Sequence, residues 1–515
     1  MNQHEHHVED VRVFLTGSEA FPELERLFLN AKERVTLSFR IFDPSTRLHS
    51  PEAREIGEDW FDLVVHTLQR GVRIRIVVSD FDPVIRPDYH QRANRCVRQL
   101  IAAGEASGRP DLIHATAALH PARVGWLPGL ALWPSARAYL LKTVKGLNAA
   151  KEAARRRRLS ELPRLRPYLR ILRDEVLLRP FSRPQLTPVT HHQKLALFDG
   201  EQLYIGGLDL NDRRYDTLEH KKPGHSTWHD IQLLVRGPAA QDAETHLESF
   251  LDVVEGGRKP PETPHILRTL SAKRRIEIPY MSPRIIKTEL ADAHHAAARS
   301  SERLIYIETQ FLRDRPFSRT LEREGRRNPN LNLIVILPAA PEDVAFQDND
   351  GSDARFGEYL QARCVMKLQH AFGDRLFLGA PAQTRKAEPG GRGQLYGAPL
   401  IYVHAKVSIF DDRQALVSSA NLNGRSFKWD TEAGVKLERA EDVRHLRHRC
   451  MSHWLGGDVP DVFDDPARAV AAWRDRARAN ARRDPAARHG FILPYSAAPA
   501  RRFGRHLPGI PEEMV

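Results

Sequence analysis

The chain has 515 residues, 41% of them hydrophobic, with 78 Lys and Arg against 66 Asp and Glu and a formal net charge of +12. That length and composition support two domains or one bilobed unit with real cores, and a basic surface suits polyanions: nucleic acid, anionic headgroups or phosphorylated metabolites. Cys96, Cys364 and Cys450 are odd in number and far apart, which excludes a disulfide framework and a cysteine metal site and fits a reducing compartment. The N-terminal MNQHEHHVEDVRVFL lacks a basic stretch followed by an apolar one, so no secretory signal is expected. No apolar run approaches the ~20 residues of a membrane span. A cytoplasmic or peripheral membrane protein is expected, with non-classical export left open.

Residues 33–42, ERVTLSFRIF, and 71–78, GVRIRIVV, read as strands separated by a helix, the pattern of a largely parallel sheet. A stretch at about 115–182 then shifts in composition. Trp126, Trp133 and Tyr139 lie in a proline-broken apolar segment, followed by Arg155, Arg156, Arg157 and Arg158. A basic helical insert is expected there, suited either to an anionic membrane surface or to a flap over the sheet.

The next element carries the sequence THHQKLALFD, 190–199. A second pass through the same order follows the Gly- and Pro-rich GGRKPPETPHI, 256–266. ERLIYIETQF, 302–311, resembles 33–42, and NLNLIVIL, 330–337, resembles 71–78. VHAKVSIFD, 403–411, then repeats the His-x-Lys-x4-Asp pattern. The second strands are 331 − 72 = 259 residues apart and the histidines 404 − 192 = 212, so the first half holds a net excess of 47 residues. The division expected is 1–258 and 259–483 as two α/β halves and 484–515 as an irregular Pro- and Arg-rich tail.

By composition, one such His-Lys-Asp match occurs by chance in roughly one protein in twenty. Here two occupy corresponding places, each followed after 206 − 192 = 418 − 404 = 14 residues by a small-residue turn, GGLDLN and SSANLN. On a strand, His192 and Lys194 point to one face, as do His404 and Lys406. Asp199 and Asp411 end their strands and are expected to secure turns. Facing halves would place two imidazoles around a phosphodiester, one attacking phosphorus and one protonating the leaving alkoxide. Lys194, Lys406, Ser419 and Asn421 would stabilise the equatorial oxygens, so no metal or other cofactor is required. Gly207 and Asp209 hold the first-half positions that match Ser419 and Asn421. Asp230 and Glu432, each near the start of a strand, are candidates to orient the histidines.

These residues resemble the phospholipase D superfamily, whose signature is the duplicated His-x-Lys-x4-Asp. HHQKLALFDGEQLYIGGLDLNDRRYDTLEH, WHDIQLLVRGPAA, IYIETQFL and VHAKVSIFDD with SSANLNGRSFKWDTE are similar to its motif regions, and the resemblance runs from about 12 to 455. It implies two pseudo-twofold-related halves, each a mixed, largely parallel sheet flanked by helices, with the site between them. It also implies His192 as nucleophile and His404 as acid. Ser418 stands where the family has Gly, and Thr309 where it has Asn. No lipid-binding module is seen before the core. The expected activity is hydrolysis or transfer of a phosphatidyl group at a membrane surface, by a monomer. A nuclease, or a cardiolipin or phosphatidylserine synthase-like transferase, is the alternative, and an inactive membrane-binding scaffold a further one.

Overall fold

A computed structural model describes residues 10–515 except 389 and 458; most of the stretch read for a secretory signal lies outside them. The first half contributes β1 (Asp10–Leu15), β2 (Arg34–Phe39), β3 (Arg73–Ser79), β4 (Ile113–Ala118), a small hairpin of β5 (Leu169–Leu172) and β6 (Glu175–Leu178), then β7 (Leu195–Phe198), β8 (Gln202–Gly206) and β9 (Ile231–Arg236). Its sheet has the order β1-β9-β8-β7-β2-β3-β4. The second half contributes β10 (Ile266–Ala272), β11 (Arg284–Thr288), β12 (Leu304–Thr309), β13 (Asn332–Ile336), β14 (Leu376–Pro381), the short β15 (Gln394–Leu395) and β16 (Ala398–Pro399), β17 (Lys406–Phe410), β18 (Gln414–Ser418), β19 (Glu432–Leu437) and β20 (Ile492–Pro494). Its sheet has the order β11-β10-β19-β18-β17-β12-β13-β14-β20.

The run β9-β8-β7-β2-β3-β4 therefore recurs as β19-β18-β17-β12-β13-β14. In both, three parallel strands meet an antiparallel set at the strand that follows the His-x-Lys. The architecture is mixed α/β with two helix-flanked sheets, as the sequence leads one to expect. Apolar side chains alternate faces along each strand. Leu195, Leu197 and Ile205 share one core with Val403, Val407, Val417 and Val435, so both halves join in a single interior. Val35, Leu37 and Phe39 point the other way, into a core that includes Phe28 and Trp60. Burial of this kind stabilises by about 25 cal/mol per Å2 of apolar surface, the term that holds the halves together.

Two expectations need correction. Ile113–Ala118 belongs to the sheet as its outermost strand, so the inserted segment starts after it. Its helices Trp126–Asn148 and Glu152–Ser160 are followed by the β5–β6 hairpin, and Leu140, Leu165 and Val176 give it a small core of its own. The tail is also not irregular. Ile492 and Leu493 are fully buried, and β20 pairs antiparallel with the edge of β14. An apolar triplet satisfies an exposed sheet edge there, which outweighs the surrounding Pro and Arg. The three cysteines are separate buried thiols. Among the described residues, no helix is long and apolar enough to cross a membrane.

Candidate active site

Both histidines lie just before a strand, not within it: His192 three residues before β7 and His404 two before β17. What positions them is a pair of backbone clamps between the halves. His192 N donates to Thr431 O at 2.8 Å, and Thr431 N to Thr190 O at 3.0 Å. His404 N donates to His229 O at 2.7 Å, and His229 N to Tyr402 O at 2.9 Å. Each lead-in thus runs parallel to the segment that opens the opposite half's last repeat strand, β19 or β9. The next residue in each opposing segment is a carboxylate. His192 Nδ1 lies 3.0 Å from Glu432 Oε2, and His404 Nδ1 2.6 Å from Asp230 Oδ2. Every imidazole is oriented by the other half.

The small-residue turns explain how these acids fit. Ser419 donates its hydroxyl to Glu432. Gly207 occupies the matching position, where a Cβ would stand 2.1 Å from Asp230 Oδ1. Glycine there makes room for the carboxylate, and serine on the other side binds it. Ser419 therefore acts on the orienting acid in this arrangement. Asn421 is buried, and its Oδ1 has no partner among the described residues.

Lys194 Nζ donates to His192 O at 2.6 Å and lies 3.9 Å from Asp209 Oδ1. Lys406 Nζ sits 2.8 and 3.2 Å from the two ring nitrogens of His404. Asp209 accepts from Ile41 N at 3.0 Å and approaches Arg40 at 3.7 Å. It organises cations and the turn after β2, and does not meet its counterpart Asn421 in kind. Asp199 accepts from the N–H groups of Lys32, Glu33 and Arg34, and Asp411 from those of Glu302, Arg303 and Leu304. Each carboxylate ends a repeat strand and ties down the start of β2 or β12.

The charges of Lys194 and Lys406 reach both imidazoles. Burial, reinforced by these cations, holds His192 and His404 well below the ordinary imidazole range. Burial also pushes Asp230 up to about 6 and Glu432 up to about 8, and Lys406 down to about 7. The resting site therefore carries neutral imidazoles and weakly held charge, and an entering anion would favour protonation of a histidine. Sequence reasoning missed Arg40 and Arg214. Arg40 acts on His192, while Arg214 acts on His404 and stacks 3.5 Å over Trp228, whose ring lies 4.5 Å from that of His404. Arg40 lies within ERVTLSFRIF and Arg214 within RRYD, but an arginine in an Arg-rich chain carries no signal without the fold.

Residues 294–454, which contain His404, Lys406 and Glu432, match the family described as Cardiolipin synthase, PLD-like domain. Phospholipase D1 of Saccharomyces cerevisiae is 22% identical over 375 residues, covering 52% of this chain and 22% of that protein. Phospholipase D2 of Bos taurus is 25% identical over 363 residues, covering 58% and 39%.

These matches support a member of the phospholipase D superfamily.

The chain spans less than half the length of the curated phospholipases D it matches, 22% and 39% in these two cases and 45% of phospholipase D alpha 3 of Arabidopsis thaliana. A crystal structure of phosphatidylserine synthase from Haemophilus influenzae shares the fold. Its TM-score is 0.51 at 12% identity, with 92% of this chain and 93% of that one covered.

Proposed function

We propose that this superfamily member cleaves or transfers the phosphatidyl group of glycerophospholipids through a phosphohistidine. The reading rests on one observation: two imidazoles, each held by the opposite half's carboxylate, lie close enough for His192 to act on His404, with the charges of Lys194 and Lys406 reaching both. With Glu432 accepting the Nδ1 proton of His192, Nε2 is the free nucleophile. It attacks phosphorus as the P–O bond to the headgroup breaks, and protonated His404 gives its Nε2 proton to the departing alkoxide. Water or an alcohol then loses a proton to His404 and attacks phosphorus. The P–N bond breaks, and His192 returns neutral. Asp230 stabilises the imidazolium of His404, and the lysines and arginines stabilise the equatorial oxygens as charge moves.

The lipid over a nucleic acid is favoured by an exposed apolar patch. Trp126 and Leu127 on the insert helix stand next to Ile276, Ile278 and Tyr280, joined by Leu127 N to Ile278 O at 3.0 Å and Gly125 N to Tyr280 O at 2.8 Å. Phe181, 89% exposed, belongs to the same insert. Nucleic-acid backbones do not call for such a surface, whereas a bilayer does. The deciding assay measures headgroup release from phosphatidylcholine and phosphatidylglycerol vesicles, with and without ethanol as acceptor, beside plasmid nicking. Lipid turnover lost in His192→Ala and His404→Ala is expected. Nicking without lipid turnover would overturn the substrate, and full turnover by His404→Ala would overturn the two-histidine chemistry.

A further inference from the structure

Behind the catalytic clamp, on the face of the 228–230 segment turned away from the cleft, three histidines converge from distant parts of the chain. His220 follows the turn after β8, His229 precedes Asp230, and His453 lies on the helix Ala440–Leu455. One ring nitrogen of each lies within 4.8 Å of the others. His220 Nε2 and His453 Nε2 are 3.0 Å apart.

The outer nitrogens are already committed. His220 Nδ1 lies 2.7 Å from Asp216 Oδ2, which also accepts from Trp228 N at 2.8 Å. His229 Nε2 lies 3.0 Å from Glu308 Oε2, and Glu308 Oε1 accepts from Tyr306 OH at 2.7 Å. These carboxylates fix the tautomers. The Nδ1 proton of His220 and the Nε2 proton of His229 point outward, so His220 Nε2 and His229 Nδ1 present lone pairs. His229 Nδ1 is buried and has no partner among the described residues. A carboxylate behind an imidazole, with the opposite lone pair free, is how proteins prepare histidine for a metal.

We propose that His220, His229 and His453 form a binding site for a divalent transition ion of the zinc class. Three neutral imidazoles suit zinc, cobalt or nickel over magnesium or calcium, which prefer oxygen. Buried Asp216 and Glu308 supply two negative charges to offset the ion. The nearby cation Arg449 is itself engaged by Glu19. Bonds of about 2.0–2.1 Å require ligand nitrogens roughly 3.3 Å apart in a tetrahedron, so the trio must close somewhat. His453 is the one ligand that is not fully buried.

The ion would brace and not catalyse. It would join the lead-in of β9 to a helix of the second half, beside the carbonyl of His229 that accepts from His404 N. The site stands on its own geometry and does not depend on the lipid reading.

Untagged full-length protein, stripped with a chelator, is titrated with Co2+ alone, and bound metal is counted. Binding of one equivalent is expected, with the visible absorption of a low-coordinate Co2+–imidazole site, displaced by Zn2+. Added Zn2+ should raise the melting temperature of the parent. Both effects should vanish in His453→Ala and persist in His4→Ala/His6→Ala/His7→Ala, which removes the N-terminal histidines as competing ligands. Absence of stoichiometric binding in the parent overturns the site whatever the variants do, and leaves a proton shared between His220 and His453. Unaltered binding in His453→Ala overturns it equally.

Discussion

At the scale of single residues, the two halves solve one problem with different side chains, and the difference can be tested. Glycine at 207 is required by contact, not by backbone angle. In Gly207→Ala the new methyl displaces Asp230, so His404 loses the partner of its charged form. Turnover should fall about 10²–10³-fold, toward the contribution of a general acid, while the melting temperature stays close to the parent's. Loss of folding in place of rate would refute the contact argument. The titrating groups set a pH profile. Below about 6 Asp230 is protonated and ceases to stabilise the imidazolium, and above about 7 Lys406 loses its charge. The profile of kcat/KM should be a narrow bell peaking between these values, and Lys406→Arg should carry the basic limb upward with a lower maximum. Initial rates from pH 5 to 9 check this; a flat profile contradicts it. Glu432 gives a stability counterpart. Its folded pKa of about 8 lies above the unfolded value, so between pH 4.5 and 8 the folded state binds more protons and stability falls as pH rises. Glu432→Gln removes that slope, so its melting temperature should gain on the parent's as pH goes from 5 to 8, although its turnover is lower.

At the scale of elements, the aspartates that end the motifs act as clamps on the strand that starts the parallel run. Asp199 and Asp411 both have φ of 52°, and each accepts three backbone N–H groups. Asp199→Ala and Asp411→Ala should each cost about 1–3 kcal/mol, the worth of hydrogen bonds to a charged group. Because the sites are far apart, the double variant should cost their sum, as urea denaturation would show. Elements of this kind were legible in the sequence, because the β7–β8 and β17–β18 hairpins carry their own turn signals and their pattern recurs. The quoted strands at 34–39, 73–79, 304–309 and 332–336 were legible for the same reason: apolar runs between polar turns. The clamps 191–431 and 229–403 were not. They join segments with no pairing signal of their own, and only the packed halves bring them together. So the acids Asp230 and Glu432 could be singled out, but not which histidine each would meet. Ile113–Ala118, rich in alanine, and the three-residue β20 lack the β-branched runs that announce a strand, and tertiary pairing alone makes them one.

At the scale of the whole molecule, a lipid substrate would require the seam between the two sheets to reach a phosphodiester in a bilayer surface. The net charge of +12 would draw the chain toward anionic lipid, but charge acts at a distance and weakens with salt. Exposed apolar groups act only on contact and do not weaken with salt. On the insert and the β10–β11 connection beside it the two coincide: Trp126 carries Arg183 5.2 Å over its ring, Tyr280 carries Arg274 at 4.1 Å, and Arg156, Arg157 and Arg158 are exposed on the insert's second helix. If this patch seats the enzyme on its substrate, the two contributions separate by experiment. Raising salt from 0.05 to 0.5 M, roughly a threefold shortening of the screening length, should weaken binding to phosphatidylglycerol vesicles without abolishing it. Trp126→Ser/Phe181→Ser should remove the salt-resistant remainder. Since neither residue touches the histidines, the variant should still turn over a dissolved short-chain phosphodiester at the parent's rate. Parent-like vesicle binding by that variant would assign the insert to a flap on the sheet. Equal losses on vesicles and on the dissolved substrate would mean that the insert shapes the cleft itself.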